Sequence, residues 1–369
     1  MKLKKITALT MAGSMAALSL TACGGGTSTT ATTAAAAAET TAAAADATTA
    51  AETSNSDAIV LQVAFENSIS EPIGQGIVKA QELLKEKSGG TMEIQIYPDS
   101  QLGDKSSLID SMLLGENVCT VADGAFYADY GVPDFGIVFG PFLFDSWDQC
   151  WTLIESDWYK EQCDKLEEKG LKLVASNWIY GERHTLTTVP VNTVDDLKGL
   201  KIRVQQSPTN VQMMNLLGGS ATPMGFGDVY TALQSKIIDG AENNELALTD
   251  NGHGDVCKYY SYDMHQMIPD ILIGNIAFLD SLSPEERAIF DEGFDLVNQI
   301  QREEWTIAVD AAKKRASGDQ KVNFLYPDTA PFKEAVIPMH ESMLGQHPDF
   351  VPIYDAIQAY NQKYPSAES

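Results

Sequence analysis

The sequence predicts an α/β fold with about two domains, and three observations carry this prediction. Short β-rich runs alternate with helical patterns between residues 59 and 236, an order that is typical of mostly parallel sheets. With 369 residues and 44% hydrophobic content, the chain holds enough apolar material for more than one core. A helical pattern near the C-terminus is longer than one small domain, which indicates that it braces two.

The alternation begins at residue 59. A β-rich run over 59–65 precedes a helical pattern over 72–87, which stops at a Gly-Gly pair, and a second strand pattern follows over 92–97. A helix over 105–114 and a strand over 118–122 continue the same order. This part of the chain therefore predicts a first sheet built from βαβ units.

Strand and helix patterns also alternate in the middle of the chain. Residues 171–176, 200–204 and 220–222 have strand patterns, and helices are indicated at 207–217 and 228–236. A second sheet is predicted here.

The longest helical pattern starts at a capping box. Ser283-Pro284-Glu285-Glu286 combines the box with proline at the first helical position, and no breaker follows until about Gly318. Some 35 residues rising 1.5 Å each span roughly 50 Å. The alternative is a pair of helices joined by a bend.

The charge of the chain excludes some partners. Acidic residues outnumber basic ones 51 to 25, for a formal net charge of -26, whereas nucleic-acid binders cluster Lys and Arg against phosphates. We expect no nucleic-acid partner. An anionic ligand would be repelled at long range, so it has to be selected by short, desolvated contacts.

The first 22 residues have the pattern of an export signal. Lys2, Lys4 and Lys5 precede an apolar run from Ile6 to Leu20 that is too short to span a membrane and remain there. The following Leu20-Thr21-Ala22-Cys23 resembles a lipobox, in which Cys23 receives diacylglycerol after cleavage. An ordinary secretory cleavage site with a chance cysteine is the alternative.

A tether is predicted after Cys23. Residues 24 to 58 are dominated by Ala, Thr, Ser and Gly and contain no aromatic residue, so they cannot form a core. As a coil they reach on the order of 30 to 35 Å. An Ala-rich helix is the alternative, which the interspersed threonines disfavour.

The cysteines and histidines do not suggest a metal or a catalytic site. Cys119, Cys150, Cys163 and Cys257 form no Cys-x-x-Cys pair and have no histidine at zinc-ligand spacing. Export permits disulfides, but buried free thiols fit equally well, and the sequence does not decide between them. We expect no metal, no cofactor and no enzymatic activity.

The five arginines include one in an informative position. Three of them, Arg287, Arg302 and Arg315, lie on the long helical pattern. Arg203 instead lies near the end of the strand over 200–204, with a helix starting just after it. Ligands of open α/β sheets bind outside such strand ends, where a guanidinium can hold a carboxylate with two hydrogen bonds. A surface salt bridge is the alternative.

Four segments carry a family resemblance: YPDSQLG at 97–103, GER at 181–183, DLKGLKIRV at 196–204 and DGAEN at 239–243. In order from about residue 59 to at least 318, the chain resembles the DctP-type solute-binding proteins of tripartite ATP-independent periplasmic (TRAP) transporters. The resemblance implies a two-domain clamshell of the class II periplasmic-binding-protein type, with the long helix bracing both domains.

The resemblance also implies roles for residues. Arg203 matches an arginine that pairs with the ligand carboxylate, Arg183 matches a second arginine near the ligand, and Asn243 matches an amide that completes the clamp. Phe226 matches an aromatic residue lining the pocket, with ordinary core packing as the alternative.

Three further residues match the family by position only. Glu66 and Asp123 could accept hydrogen bonds from ligand hydroxyls, although surface exposure explains them equally well. Trp178 is either a pocket wall or part of the core. The segment Glu242-Asn243-Asn244 differs from the tryptophan-containing one expected of members that bind 2-oxo acids through a metal, so a ligand-bridging calcium is not expected.

The predicted function is that of an exported, lipid-anchored receptor that delivers a small organic acid to an ion-gradient-driven TRAP permease. The predicted domains are 59–180 plus 269–308 and 181–268 plus 309–365, with hinges near residues 180 and 268. The alternatives are the receptor of an ATP-driven importer and a secreted enzyme. The identity of the acid, the oligomeric state and the type of cell envelope are left open by the sequence.

Overall fold

The computed structural model describes residues 58–175, 179–269 and 271–363, which form two sheets surrounded by helices. The strands in chain order are β1 (Ile59–Ala64), β2 (Met92–Tyr97), β3 (Val118–Ala122), β4 (Leu171–Ala175), β5 (Gly181–Thr187), β6 (Lys201–Val204), β7 (Ser220–Pro223), β8 (Gly240–Asn243), β9 (Tyr259–Ile268), β10 (Ile271–Asn275) and β11 (Asn323–Leu325). The first sheet has the order β2-β1-β3-β10-β4 and the second has the order β11-β9-β5-β8-β6-β7. The predicted α/β class is confirmed.

Helices cover and connect the sheets. In chain order they are α1 (Pro72–Lys87), α2 (Lys105–Leu113), α3 (Gly124–Asp129), α4 (Trp147–Ile154), α5 (Asp157–Glu167), α6 (Pro208–Leu216), α7 (Val229–Gln234), α8 (Leu246–Thr249), α9 (Ile276–Ser281), α10 (Pro284–Gly318), α11 (Ala330–Gln346) and α12 (Val351–Lys363). Every strand and helix that the sequence predicts is present, with ends within two residues of the prediction. The strands that were not predicted include β5 and β8, whose sequences GERHTLT and GAEN lack an apolar alternation.

Each sheet contains one described strand that runs against the others. β10 is antiparallel to β3 and β4, and β5 is antiparallel to β8 and β9, while the remaining pairs are parallel. Both reversed strands follow a crossing of the chain, from β4 to β5 and from β9 to β10. The crossings run side by side, because the backbone N–H of Tyr180 donates to the carbonyl of Ile268 at 3.1 Å.

Apolar side chains are buried on both faces of the first sheet. Every residue of β3 is buried; Val118 and Ala122 lie in one apolar cluster and Cys119 and Val121 in another. Alternate residues of a strand point to opposite faces. The alternation therefore explains why β3 is apolar at four of its five positions, a composition that is typical of sheets covered by helices on both sides.

The predicted long helix is a single helix, α10, and it packs against both sheets. Phe294 and Val297 in its first half lie in the cluster that covers the first sheet, whereas Ala316 near its end lies in the cluster of the second. Between them the Gln301 side chain donates to the carbonyl of Ile179 at 2.9 Å, next to a crossing. None of the described helices, α10 included, is long and apolar enough to cross a membrane.

The last helix lies closer to the first sheet than to the second. Ile357 of α12 and Phe350, just before this helix, are fully buried in the cluster that also contains Leu153 of α4 and Trp158 of α5. The division of the chain into 59–180 plus 269–308 and 181–268 plus 309–365 stays a prediction.

The four cysteines in the described part of the chain are free thiols. Cys119, Cys150 and Cys257 are buried, and Cys163 is partly buried. Burial disfavours the thiolate and raises the pKa of Cys119 to about 12. The sequence was compatible with disulfides and with buried free thiols, and the structure supports free thiols.

Gly181, the first residue of β5, tests how tightly the crossing packs on α10. Its φ is +98°, and a Cβ atom there would overlap the ring of Trp305. We expect Gly181→Ala to lower the free energy of unfolding by about 2 to 5 kcal/mol, the sum of backbone strain and overpacking. Urea unfolding measures this change.

Gly115→Ala is the matched control for backbone strain. Gly115 has a φ of +100°, and a Cβ atom there would have no neighbour within 4 Å. It should lower the free energy of unfolding by only about 1 to 2 kcal/mol. Equal losses for the two variants would show that the ring of Trp305 does not restrict the crossing.

Candidate functional site

A small pocket forms where the ends of strands from both sheets face each other. Glu66 and Asn67 follow β1, Gln205 follows β6, and Asn243 ends β8. The cavity is about 10 Å³, room for about one water molecule. Its lining residues are Glu66, Asn67, Lys105, Tyr180, Arg183, Arg203, Gln205, Phe226 and Asn243. The pocket lies outside the carboxyl ends of the parallel strands, as is usual for ligand sites in α/β sheets.

Arg203 is a buried cation without a carboxylate partner. Its side chain is 3% exposed, and both Nε and Nη2 donate to the carbonyl of Met224, at 3.0 and 2.8 Å. The guanidinium also lies over the ring of Phe226, 5.5 Å from its centroid. Among the described residues no carboxylate lies within ion-pair distance of Arg203. Burial lowers the pKa of Arg203, although Glu242 and Glu66 act in the opposite direction.

Arg183 is buried as well, but it is neutralised. It donates to the carboxylate and, at 2.7 Å, to the carbonyl of Glu242, and at 3.3 Å to the side-chain oxygen of Asn243. Burial disfavours the charged form of Arg183, but the carboxylate of Glu242 outweighs burial and raises the pKa of Arg183. The reversed direction of β5 explains the contact, because it brings the start of β5 beside the end of β8.

A chain of buried charges continues behind Arg183. His265 lies 3.6 Å from Glu242, and its Nδ1 is 3.0 Å from the carboxylate of Asp263. Asp263 in turn accepts hydrogen bonds from the backbone and the hydroxyl of Thr185, at 3.2 and 2.6 Å. Glu242, Asp263 and His265 have no exposed side-chain surface. Glu242, which contacts Arg183, and the two residues behind it are not part of the pocket lining.

The pKa values within this chain follow from the pairing of charges. Burial alone would raise the pKa of Glu242, but Arg183 and His265 outweigh it and lower that pKa to about 2. Burial would lower the pKa of His265, but Asp263 and Glu242 outweigh it and raise the value to about 9. Both groups are therefore charged at neutral pH.

Glu66 connects the two sides of the pocket. Its carboxylate lies 3.6 Å from Lys105, at the start of α2, and accepts a hydrogen bond of 3.3 Å from the backbone N–H of Phe226. Lys105 also lies near the amide oxygen of Gln205, at 3.4 Å. A carboxylate from the loop after β1 thus contacts the backbone just after β7, and this contact joins the segments that follow strands of the two sheets.

Five of the seven residues that were predicted to bind the ligand line the pocket. Arg203, Arg183, Asn243, Phe226 and Glu66 all line the pocket. Their roles toward a ligand stay predictions.

The other two predicted residues are not in the lining. Asp123 is buried and caps α3, where it accepts a hydrogen bond of 3.0 Å from Ala125. Burial raises the pKa of Asp123, with Lys105 and Arg183 acting against the rise. Trp178 lies outside the described residues.

Sequence reasoning missed several lining residues. Gln205 directly follows the strand that carries Arg203, and Asn67 directly follows Glu66, so their positions in the sequence could have indicated them. Tyr180 precedes a strand that the apolar pattern did not predict. Lys105 opens a predicted helix but looks like any surface lysine in the sequence.

The site has the chemistry of an anion receptor. Its lining combines three cations with one carboxylate, hydrogen-bonding amides and two aromatic rings, those of Tyr180 and Phe226. Within residues 58–175, 179–269 and 271–363, no three His, Cys, Asp or Glu side chains are arranged to hold a metal ion.

Known proteins share both the sequence pattern and the fold. The family described as bacterial extracellular solute-binding protein, family 7 (DctP), matches residues 63–346. A TRAP periplasmic solute-binding protein from Anaerococcus prevotii, solved with bound α/β-D-glucuronate, is 46% identical, with a TM-score of 0.78 over 83% of this chain and 99% of that one.

Two other relatives differ in the ligands they are named for. A TRAP periplasmic solute-binding protein from Actinobacillus succinogenes, solved with bound L-galactonate, is 30% identical, with a TM-score of 0.75 over 82% of this chain and 98% of that one. The C4-dicarboxylate-binding periplasmic protein DctP of Rhodobacter capsulatus is 27% identical over 78% of this chain and 87% of its own. These relatives are solute-binding proteins.

The protonation of His265 gives a direct test of the buried charge chain. In NMR spectra of the imidazole signals, His265 should titrate near pH 9, while His184 and His253 stay neutral at neutral pH because burial lowers their pKa values to about 3. Since the folded pKa of His265 exceeds the unfolded value of about 6.5, its proton contributes stability fully below pH 6.5. That contribution is lost as the pH rises through 9.

Asp263→Asn tests the cause of the shift. Removing this carboxylate should move the midpoint of His265 down by at least about one pH unit. A wild-type midpoint at or below 6.5 would contradict the paired arrangement of Asp263, His265 and Glu242.

Proposed function

The chain belongs to family 7 of the bacterial extracellular solute-binding proteins, the DctP family of TRAP receptors, and from this membership we propose that it captures a small organic acid through Arg203. The observation that carries the proposal is the unneutralised charge of the buried Arg203. A buried ion is costly unless an opposite charge compensates it. A ligand carboxylate supplies that charge.

The geometry around Arg203 suits a carboxylate. A guanidinium presents a planar fork that can donate two parallel hydrogen bonds to two carboxylate oxygens. The carbonyl oxygen of Met224 accepts hydrogen bonds from Nε and Nη2 of Arg203. Because this carbonyl is neutral, it does not compensate the positive charge of Arg203. We propose that Asn243 and Arg183 complete the clamp, with Arg183 held in place by Glu242.

For the ligand class we propose sugar acids, of which D-glucuronate is the first candidate. The support is the 46% identity to the relative that was solved with D-glucuronate. Relatives named for other acids, such as the C4-dicarboxylate-binding protein, make a direct measurement necessary. Glu66 and the amides of Asn67 and Gln205 are the proposed partners of ligand hydroxyls.

We propose that binding works by closure of a clamshell. The lobes would comprise 59–180 plus 269–308 and 181–268 plus 309–365, and the hinges would be the paired crossings at Tyr180 and Ile268. A ligand that touches both lobes favours the closed form by its differential affinity for it. The contact between Glu66 and Phe226 is the kind of bridge that such a closed form needs.

Delivery and localisation are proposed from the N-terminal pattern and the family. The receptor would be exported, anchored by lipid on Cys23 through the tether over 24–58, and would pass its ligand to an ion-gradient-driven TRAP permease. Residues 1–57 lie outside the described residues, so the export signal, the lipidated Cys23 and the tether stay predictions from the sequence.

Arg203→Ala tests the proposed carboxylate pair. It should weaken the binding of D-glucuronate by a factor of about 30 to several thousand, which corresponds to about 2 to 5 kcal/mol, because the pair is buried. Isothermal titration calorimetry measures the dissociation constant. Arg203→Lys keeps the charge but not the fork, and an intermediate loss is expected.

Arg287→Ala is the control for this experiment. Arg287 lies on α10 and pairs with Asp291 at 2.8 Å, away from the pocket. Its substitution should leave D-glucuronate binding unchanged. A loss below threefold for Arg203→Ala would contradict the assignment, and a wild-type protein that binds no sugar acid would contradict the ligand class.

Cys23→Ser tests the lipid anchor. In cells fed labelled palmitate, the wild-type protein should carry the label and sediment with membranes, whereas Cys23→Ser should carry no label because the thiol is the acceptor. Cys163→Ser, which changes a partly buried thiol of the folded part, should be labelled like the wild type. Label on Cys23→Ser would contradict the anchor.

A further inference from the structure

A second pocket adjoins the first and differs from it in charge. It has a volume of about 230 Å³, and Glu66 and Phe226 line both pockets. Asp99 comes from the loop after β2, while Asp250 and His253 come from the segment after α8. Because Glu66 and Phe226 line both, the two pockets lie side by side, and they are together called the cleft.

The second pocket is acidic. Glu66, Asp99 and Asp250 contribute three carboxylates to its lining. Glu66 lies 3.6 Å from Lys105 and Asp250 lies 3.6 Å from Arg315. Asp99 has no ion-pair partner in the described part of the chain. Its position is held by the backbone, because its N–H donates to the carbonyl of Asn67 at 2.9 Å.

His253 provides an independent indication that the pocket receives a ligand. Its side chain is 1% exposed, and in the described residues its Nδ1 has no hydrogen-bond partner. Burial, and then the nearby charge of Arg203, lowers the pKa of His253 to about 3, so the imidazole is neutral. A buried polar atom without a partner is costly unless a ligand or water satisfies it.

The remaining lining is uncharged and consists of Phe226, Gly227, Tyr230 and Asn251. Tyr230 and Asn251 add a hydroxyl and an amide, each able to donate and accept hydrogen bonds. Carboxylates accept short, strong hydrogen bonds from hydroxyl groups. A second carboxylate placed in this pocket would instead face like charges, which disfavours it.

We propose that the cleft selects ligands by charge along their length, binding a single carboxylate at Arg203 and a hydroxyl-rich tail in the pocket of Asp99, Asp250 and His253. The ligand class is then the polyhydroxy monocarboxylates, and dicarboxylates of the same length are excluded. This inference rests on the proposed function. It adds to it the residues that would bind the end of the ligand opposite to the carboxylate.

The test compares D-glucuronate with D-glucarate, which carries a second carboxylate at the other end of the same carbon chain. Calorimetry on the mature protein should give a D-glucarate dissociation constant at least about 100-fold higher than that of D-glucuronate, because like charges are brought together. D-Gluconate, an open-chain acid with one carboxylate, should bind more tightly than D-glucarate. This pair separates the effect of charge from that of ring closure.

The double variant Asp99→Asn, Asp250→Asn should narrow the gap between D-glucarate and D-glucuronate at least tenfold. The control is Asp157→Asn, Asp195→Asn, which makes the same change in net charge at exposed positions and should leave the gap unchanged. His253→Phe keeps a ring beside Phe226 and should weaken D-glucuronate binding about three- to tenfold through the lost hydrogen bond.

The outcomes separate this inference from the proposed function. Tight binding of D-glucuronate and D-glucarate alike, or a gap that the double variant does not narrow, would overturn the inference and leave the carboxylate pair at Arg203 standing. Absence of binding for every acid would overturn both.

Discussion

The two crossings between the sheets determine where the side chains of the candidate site lie. The hydrogen bond between Tyr180 and Ile268 keeps the crossings side by side, and each crossing leads into a strand that runs against its neighbours. A reversed strand presents its first residues at the edge where its neighbours present their last. Arg183, the third residue of β5, therefore lies beside Asn243, the last residue of β8. The pocket forms next to the crossings for the same reason.

The two arginines of the pocket are buried to the same degree but balanced differently. Arg183 is compensated within the protein by Glu242, which His265 and Asp263 support from behind. Arg203 has only a carbonyl and a ring as close partners among the described residues. Because the charge of Arg183 is already compensated, this residue can position the amide of Asn243 without a ligand. The uncompensated charge of Arg203 would be stabilised most by an added anion. The difference separates a supporting role from a binding role in the proposed mechanism.

The sequence predicted the regular framework and five of the nine residues that line the pocket. The strands β1, β2, β3 and β6 were found because alternating or continuous apolar residues follow from burial, and α10 was found because its capping box is a local signal. β5 was missed because its polar residues are buried by pairing with β8 and β9, a non-local effect.

The same limit applies to the pocket. Arg203 could be inferred from its place at a strand end. Tyr180 and Lys105 come from different parts of the chain and meet only in the folded protein. The family resemblance supplied Arg183 and Asn243, which composition and periodicity did not. Glu242, His265 and Asp263 come from two different strands, and their pairing inside the folded protein cannot be seen in the sequence of one segment.

The long helix α10 packs on both sheets over about 50 Å. Any rotation of one lobe against the other must therefore bend this helix or shift it along the surfaces on which it packs. The free energy of that deformation would subtract from the intrinsic affinity for the ligand. A substitution in α10 that makes the helix easier to bend would therefore change the dissociation constant, although it lies far from the pocket and alters no contact with the ligand.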